Sequence, residues 1–362
     1  MTDLKDRLKT RLAAEGPISV AEYMRVCLSD PEAGYYTTQN PFGRDGDFIT
    51  APEVSQMFGE LIGAVCLAAF DAMGSPADVQ LAEIGPGRGT LMADVLRMAS
   101  LRPDFLEAAC LNLVETSPRL RKIQQETLCG GPLQPTFRSA FQELPDGPLL
   151  LVANEFFDAL PIHQFIKTAD GWRERQIGLS DTGDLMFGAG TARLPDDAVP
   201  HDLIAAPEGA IVETQPTANA IAEEIGTRLA DHGGAALIID YGYLKTTAGD
   251  TLQAVYRHAF DDVLVHPGEA DLTAHVNFEA LTASAIKGGA FALSPMKQGN
   301  FLVSAGLLER AGTLGAGKSQ AEQERIRDDV ERLAAPDQMG DLFKVLAITG
   351  QEISFPPFDS AV

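Results

Sequence analysis

Leu81-Ala82-Glu83-Ile84-Gly85-Pro86-Gly87-Arg88-Gly89-Thr90 is the stretch that decides the fold of this chain. Val79 and Gln80 extend its first four residues into a short strand, and Thr90 to Ala99 carries the apolar spacing of a helix. Between them lie alternating glycines, Gly85, Gly87 and Gly89. A backbone without Cβ atoms turns tightly there and admits a ligand at close range. The free N–H groups at the start of the next helix favour a polar or anionic ligand group. Glu83 puts a carboxylate at the strand end, just ahead of the turn.

Two cofactor classes compete for such a turn. A nicotinamide or flavin dinucleotide asks for G-x-G-x-x-G/A after a strand. Gly85 and Gly87 fit that pattern, but its third position is Thr90, and Glu83 has no part in it. The spacing E-x-G-x-G-x-G, from Glu83 through Pro86 to Gly89, resembles instead the loop with which class I methyltransferases wrap the amino-acid half of S-adenosyl-L-methionine. Leu111 to Glu115 reads as a second strand ending in an acid. A carboxylate at that place accepts hydrogen bonds from both ribose hydroxyls. A glycine turn that holds no ligand is the remaining alternative.

Working outward, apolar strands keep alternating with helices. Leu149–Ala153 and Ala235–Asp240 are strands, Pro118–Leu128 and Ala218–Ala230 helices. That alternation implies a parallel sheet covered on both faces, with the ligand beyond the carboxyl ends of its strands. Glu83, Glu115, Asn154 and Asp240 all fall at that end. Phe137 to Phe141 closes a third strand, where Ser139 would accept from an adenine amino group and Phe141 would lie near the base or in the core. Before the sheet, Asp3–Ala14 and Ile18–Cys27 read as helices, with Ser19 a helix cap, and Pro52–Met73 as a longer one. The loop-rich run from Pro31 to Pro52 carries Tyr36, Arg44 and Asp45 and reads as a lid over the cofactor or as a solvated connector. Trp172 to Phe187, with the turn Asp181-Thr182-Gly183-Asp184, reads as a β-hairpin. The expected fold is α/β, a class I (Rossmann-like) methyltransferase core with added N-terminal helical and inserted β elements. Its expected segments are a helical and lid region at 1–75, the core at 76–164 and 211–362, and the hairpin insertion at 165–210.

Composition narrows the partners. The chain has 362 residues, 45% of them hydrophobic, enough for one large domain with insertions or for two. Its net charge of −23 argues against nonspecific nucleic-acid binding, which needs Lys and Arg against phosphates, and against docking on anionic lipid. Cys27, Cys66, Cys110 and Cys129 are dispersed and read as thiols in a reducing compartment. No apolar run reaches membrane-spanning length, and the first fifteen residues hold no apolar signal core. A bacterial-type cytoplasmic protein without membrane insertion is the expectation. His258, His266 and His275 lack metal-ligand spacing, so no metal is expected.

The acceptor chemistry is read from Ala153-Asn154-Glu155-Phe156-Phe157-Asp158-Ala159-Leu160-Pro161. Class I amino-methyltransferases often carry an Asn/Asp-Pro-Pro-aromatic turn at this place to hold the accepting nitrogen. Asn154 with Phe156 or Phe157 resembles that turn, without its prolines. Glu155 and Asp158 add carboxylates suited to the planar donor fork of a guanidinium. Because arginine stays protonated to above pH 12, such carboxylates act by localising charge and orienting a lone pair. Positioning supplies much of the acceleration of an in-line transfer. The alternative is that Glu155 or Asp158 caps a helix. Asp240, ahead of Tyr241-Gly242, is either a site acid or a turn former.

Taken together these residues resemble the MidA-like family of S-adenosylmethionine-dependent methyltransferases. The matching blocks are Gly34–Tyr36, Gly43-Arg44-Asp45-Gly46-Asp47-Phe48-Ile49-Thr50 into Pro52-Glu53-Val54-Ser55, the glycine loop, Ala153–Pro161 and Asp240-Tyr241-Gly242. Leu252-Gln253-Ala254, Tyr256-Arg257-His258, Asp271 to Phe278 and Lys297-Gln298-Gly299 complete them, the last usually written with Thr before Gln-Gly. The resemblance implies S-adenosyl-L-methionine as cofactor and a protein substrate with an exposed arginine. Mitochondrial members are associated with assembly of respiratory complex I and methylate an arginine on a core subunit of its peripheral arm. For a bacterial-type chain the implied target is the equivalent NADH dehydrogenase subunit. A non-catalytic assembly factor with a vestigial site and a small-molecule methyltransferase are the alternatives.

Overall fold

Val79–Ile84, the strand that feeds the glycine loop, lies inside a nine-stranded sheet. The computed structural model describes residues 3–38, 50–195, 198–353 and 357–358. The chain divides into two compact units, one made of 1–48, 158–219 and 245–277, the other of 49–157, 220–244 and 278–362.

The second unit holds the main path of the nine-stranded sheet. Its main elements in chain order are α1 (Gln56–Ala72), β1 (Val79–Ile84), α2 (Thr90–Ala99), β2 (Ala109–Val114), α3 (Pro118–Thr127), β3 (Thr136–Arg138), β4 (Leu149–Asn154), α4 (Pro216–His232), β5 (Gly234–Tyr243) and β6 (Phe343–Thr349). The strands run β3-β2-β1-β4-β5-β6, with Phe291–Ala292 beyond β6. The first five are mutually parallel, and β6 is antiparallel to β5. In this register Ile84 pairs with Val114 on one side and Ala153 on the other, and Asn154 pairs with Ile239. Gly85, Glu115 and Asn154 therefore emerge side by side at the carboxyl edge.

These strands are apolar along both faces, as strands buried on two sides must be. All six residues of β1, β4 and the inner half of β5 are buried. Leu81, Leu150, Leu237 and Val345 join Phe58, Ile62 and Val65 of α1 and Leu91 and Val95 of α2 in one core. The long helix expected over Pro52–Met73 is interrupted. Ala51–Val54 forms a single turn, Ser55 is extended at φ −158° and ψ 141°, and α1 starts at Gln56. The Ser55 hydroxyl accepts from Met57 N, so the serine caps a new helix rather than continuing the old one.

The first unit is built on a five-stranded sheet. The hairpin expected from the sequence is present as Gly171–Leu179 and Leu185–Arg193, antiparallel. Gly171–Leu179 also pairs with His163–Thr168 and with Ile18–Ser19, which brings the N-terminal helices into the same unit as the hairpin. Ser19 caps the helix Val20–Ser29 by accepting from Glu22 N. Leu4, Leu8 and Leu12 of Leu4–Glu15 pack with Tyr23, Met24 and Ile177 in a core of their own. The expected segment 1–75 is thus divided: residues 1–48 share a unit with the hairpin region 165–210, and 49–75 belong to the other.

Candidate active site at the carboxyl edge of the parallel sheet

The glycine loop has the backbone that its composition demands. Gly85, Gly87 and Gly89 all have positive φ, at 66°, 51° and 81°. A Cβ on Gly85 would stand 2.9 Å from Phe156 Cδ2, so this position needs glycine both for its dihedral and for the ring beside it. Gly85 N donates to Val114 O, and Gly89 N to Pro86 O, which closes the turn onto the start of α2. Gly89 offers no side-chain cap there, and Thr90 hydroxyl donates to Glu53 Oε1 at 2.8 Å.

Beside the loop lies a cavity of about 300 Å³, lined among others by Gly85, Glu115, Ser139, Phe141, Phe156 and Ile221. That volume is at the lower end for small-molecule sites. Glu115 is buried, and its two carboxylate oxygens are fixed from different sides. Oε1 accepts from Ser117 N at 2.7 Å and Oε2 from Gln124 Nε2 at 3.2 Å. Burial pushes the Glu115 carboxyl above its ordinary value, against the pull of Ser117 N–H, Gln124, Thr116 N–H and Arg121. Ser139 accepts from Arg121 Nη2 at 2.9 Å, while its own N–H donates to Glu143. Its hydroxyl proton stays available for an acceptor.

Glu83 is placed differently from Glu115. It is buried and absent from the cavity wall, and its charge acts on Cys66 of α1. Burial pushes its carboxyl up to about 8, and Oε2 has no hydrogen-bond partner among the described residues.

The turn after β4 forms the other half of this edge. Asn154 is buried, its Nδ2 donates to Glu155 Oε1 at 3.2 Å, and its Oδ1 has no partner among the described residues. Glu155 adopts φ 50°, unusual for a residue with a side chain, and the same Oε1 accepts from Ala51 N. Asp240 is fully buried and accepts from Phe157 N at 3.0 Å and Tyr241 N at 2.9 Å. Its carboxylate thus fastens the turn that carries Asn154. Phe156 and Phe157 meet edge to face at 5.3 Å.

Asp158 and Tyr36 belong to the first unit, Asn154 and Glu155 to the second. Asp158 O accepts from Ala274 N, and Tyr36 hydroxyl donates to Asp271 Oδ2 at 3.4 Å. Desolvation, then Asp271 and Asp158, raise the Tyr36 phenol well above its ordinary value. Arg44 and Asp45, and most of the lid they were expected to form, lie outside the described residues. Sequence reasoning missed Gln124 and Arg121, and it gave Glu53 and Asp271 no role beyond their place in the family blocks. Nothing in the helix pattern of Pro118–Thr127 marks Gln124, an amide between Ile123 and Gln125, as a site residue.

A parallel sheet whose central strand ends in an all-positive-φ glycine turn, with a buried acid at the end of the next strand, defines a class I S-adenosylmethionine-dependent methyltransferase. The residues fit that cofactor: the Gly85 cradle leaves the space a Cβ would fill, and Glu115 brings a fixed carboxylate to the cavity. The profile of the family described as "Putative S-adenosyl-L-methionine-dependent methyltransferase" matches residues 61–296, and the chain belongs to that family. It is 38% identical to the mouse protein arginine methyltransferase NDUFAF7, mitochondrial, over 96% of this chain and 84% of that one. The human counterpart is 35% identical over 96% of this chain and 83% of its own length. A crystal structure of a COG1565 superfamily member from Burkholderia thailandensis bound to S-adenosyl-homocysteine is similar, with 30% identity and a TM-score of 0.84 over 96% of this chain and 91% of that one. The chain is a methyltransferase enzyme that uses S-adenosyl-L-methionine. Among the described residues no helix is long and apolar enough to cross a membrane.

Proposed function

We propose that this chain methylates the guanidinium of an arginine on a protein substrate, a peripheral-arm subunit of complex I or of its bacterial NADH dehydrogenase equivalent. The observation that carries the reading is likeness over nearly the whole chain to relatives named protein arginine methyltransferases. Those relatives are mitochondrial by name, which gives the expected cytoplasmic placement no support.

The bound cofactor supplies an electrophilic methyl group on a sulfonium. The residues of the chain do the positioning. Gly85 and Gly87 let the backbone approach the ligand, while Glu115 accepts from the ribose hydroxyls and Ser139 meets the adenine edge. Asn154 Oδ1, a buried acceptor at the same edge, would take an N–H of the incoming guanidinium and aim that nitrogen at the methyl. As the N–C bond forms the S–C bond would break to leave a thioether, and the nitrogen's proton would pass to the Glu155 carboxylate beside Asn154. Glu155 orients Asn154 through Nδ2. Asp158 and Tyr36 are candidates for binding the arginine segment, on the sequence motifs that carry them. Arg44 and Asp45 are candidates for the same task.

The test is mass spectrometry of the substrate subunit from cells with and without this gene, with a Gly87→Val strain as control. A methylated arginine lost in both the deletion and the variant supports the reading. An arginine methylated equally in all three overturns it.

A further inference from the structure

Gln124 is fully buried on α3, and its side-chain amide is committed at both N–H donors. Nε2 donates to Gly87 O at 2.8 Å and to Glu115 Oε2 at 3.2 Å. A Cβ on Gly89 would meet Gln124 Cα at 3.5 Å, so the helix presses closely on the loop as well. One planar group therefore spans the glycine loop and the carboxylate at the end of the neighbouring strand. Few side chains suit this place. A hydroxyl has a single proton and serves one acceptor, and an ammonium would neutralise Glu115 and weaken it toward a ligand. A neutral amide fixes both partners and leaves the carboxylate its charge.

We infer that Gln124 is a positioning residue of the cofactor site, a clamp that holds the Gly87 backbone and Glu115 at one spacing and thereby sets recognition of the ribose hydroxyls. This rests on the reading of Glu115 as the ribose acceptor. With Gln124 gone, Glu115 keeps the backbone N–H groups of Ser117 and Thr116, and its Oε2 loses the side-chain donor that ties it to the glycine loop. Arg121 is the charged group acting on it, and Arg121 Nε stays on Glu115 O. Loss of one donor also raises the carboxyl further, because hydrogen bonds to the ionised form hold it down.

The experiment is calorimetric titration of the whole chain with S-adenosylhomocysteine and its 2′-deoxy analogue across about pH 5.5–8.5, for wild type, Gln124→Met and Gln124→Glu. Wild type prefers the ribose form and loses affinity as acid protonates Glu115. Gln124→Met binds S-adenosylhomocysteine about tenfold more weakly, loses most of the ribose preference, and has its acid limb moved to higher pH. In Gln124→Glu two carboxylates face each other and share a proton as pH falls, restoring one donor. Its affinity rises as pH falls, opposite to wild type. A folded Gln124→Met with the wild-type preference and pH profile overturns the inference. If that variant does not fold, Gln124→Glu decides, and a wild-type trend there overturns it equally. Wild type indifferent to the 2′-hydroxyl overturns the reading of Glu115 itself and the clamp with it.

Discussion

The turns after β1 and β4 sit on adjacent parallel strands and are shaped by opposite means. The first takes its form from composition. Three glycines at positive φ, with Phe156 against the place of a Cβ on Gly85, leave the loop few alternatives. The second takes its form from contacts far away in sequence. Glu155 holds φ 50° with a full side chain while Ala51 N and Asn154 Nδ2 donate to its carboxylate, and Asp240 grips Phe157 N from another strand. A loop of the first kind is written locally. A loop of the second kind exists only once β5 and the segment before α1 are in place.

The comparison makes graded predictions. Gly85→Val breaks the first turn outright, since a β-branched residue at φ 66° is strained and its Cβ meets Phe156. S-adenosylhomocysteine affinity by calorimetry falls ~1000-fold, about 4 kcal/mol. Retained binding would show the loop less constrained than its dihedrals say. Asp240→Ala attacks the second turn at its distant support and strands the buried amides of Phe157 and Tyr241. Denaturant unfolding should show a loss of about 2–4 kcal/mol, with arginine methylation falling more than cofactor affinity. An equal fall in both would mean the two turns act as one.

Glu83 sharpens the first turn from beneath. Its carboxyl is raised from the ordinary 4.5 to about 8 by burial. A group raised on folding adds stability that is full below its unfolded value and is lost as pH rises through the folded one. Glu83→Gln should flatten that slope and be more stable than wild type near pH 9 by on the order of 2 kcal/mol, with little gain near pH 5. Thermal melts at the two pH values decide it, and parallel curves for both proteins would refute it. The smallest effect is expected for Glu155→Gly. Glycine relieves about 1 kcal/mol of left-handed strain but gives up the hydrogen bonds from Ala51 N and Asn154 Nδ2, so a net loss of about 1 kcal/mol is expected. Net stabilisation in urea would move this turn into the class of the first.

The same contrast explains what the sequence made legible. The glycine loop, Glu115, the strand cores and the Ser19 cap follow from local rules, and the structure has them at those residues. The break at Ser55 was hidden because Val54, Met57 and Phe58 keep helical spacing across it. Gln124 and Asp240 act through partners 37 and 83 residues away, and no spacing rule reaches that far. Asp158 sits beside Asn154 in a motif yet belongs to the other unit, because the chain passes from one to the other between Phe157 and Asp158.

That passage between units has a cost in time. The cofactor loop is complete once Thr90 is made, but β6, antiparallel partner of β5 along seven residue pairs, begins only at Phe343. At ribosomal rates of about 5–20 residues per second, the stretch from the end of β5 at Tyr243 to Phe343 leaves that edge of the nascent sheet open for on the order of 5–20 s. A stop codon late in the gene would therefore leave the catalytic motif intact and the protein a client of chaperones or proteases.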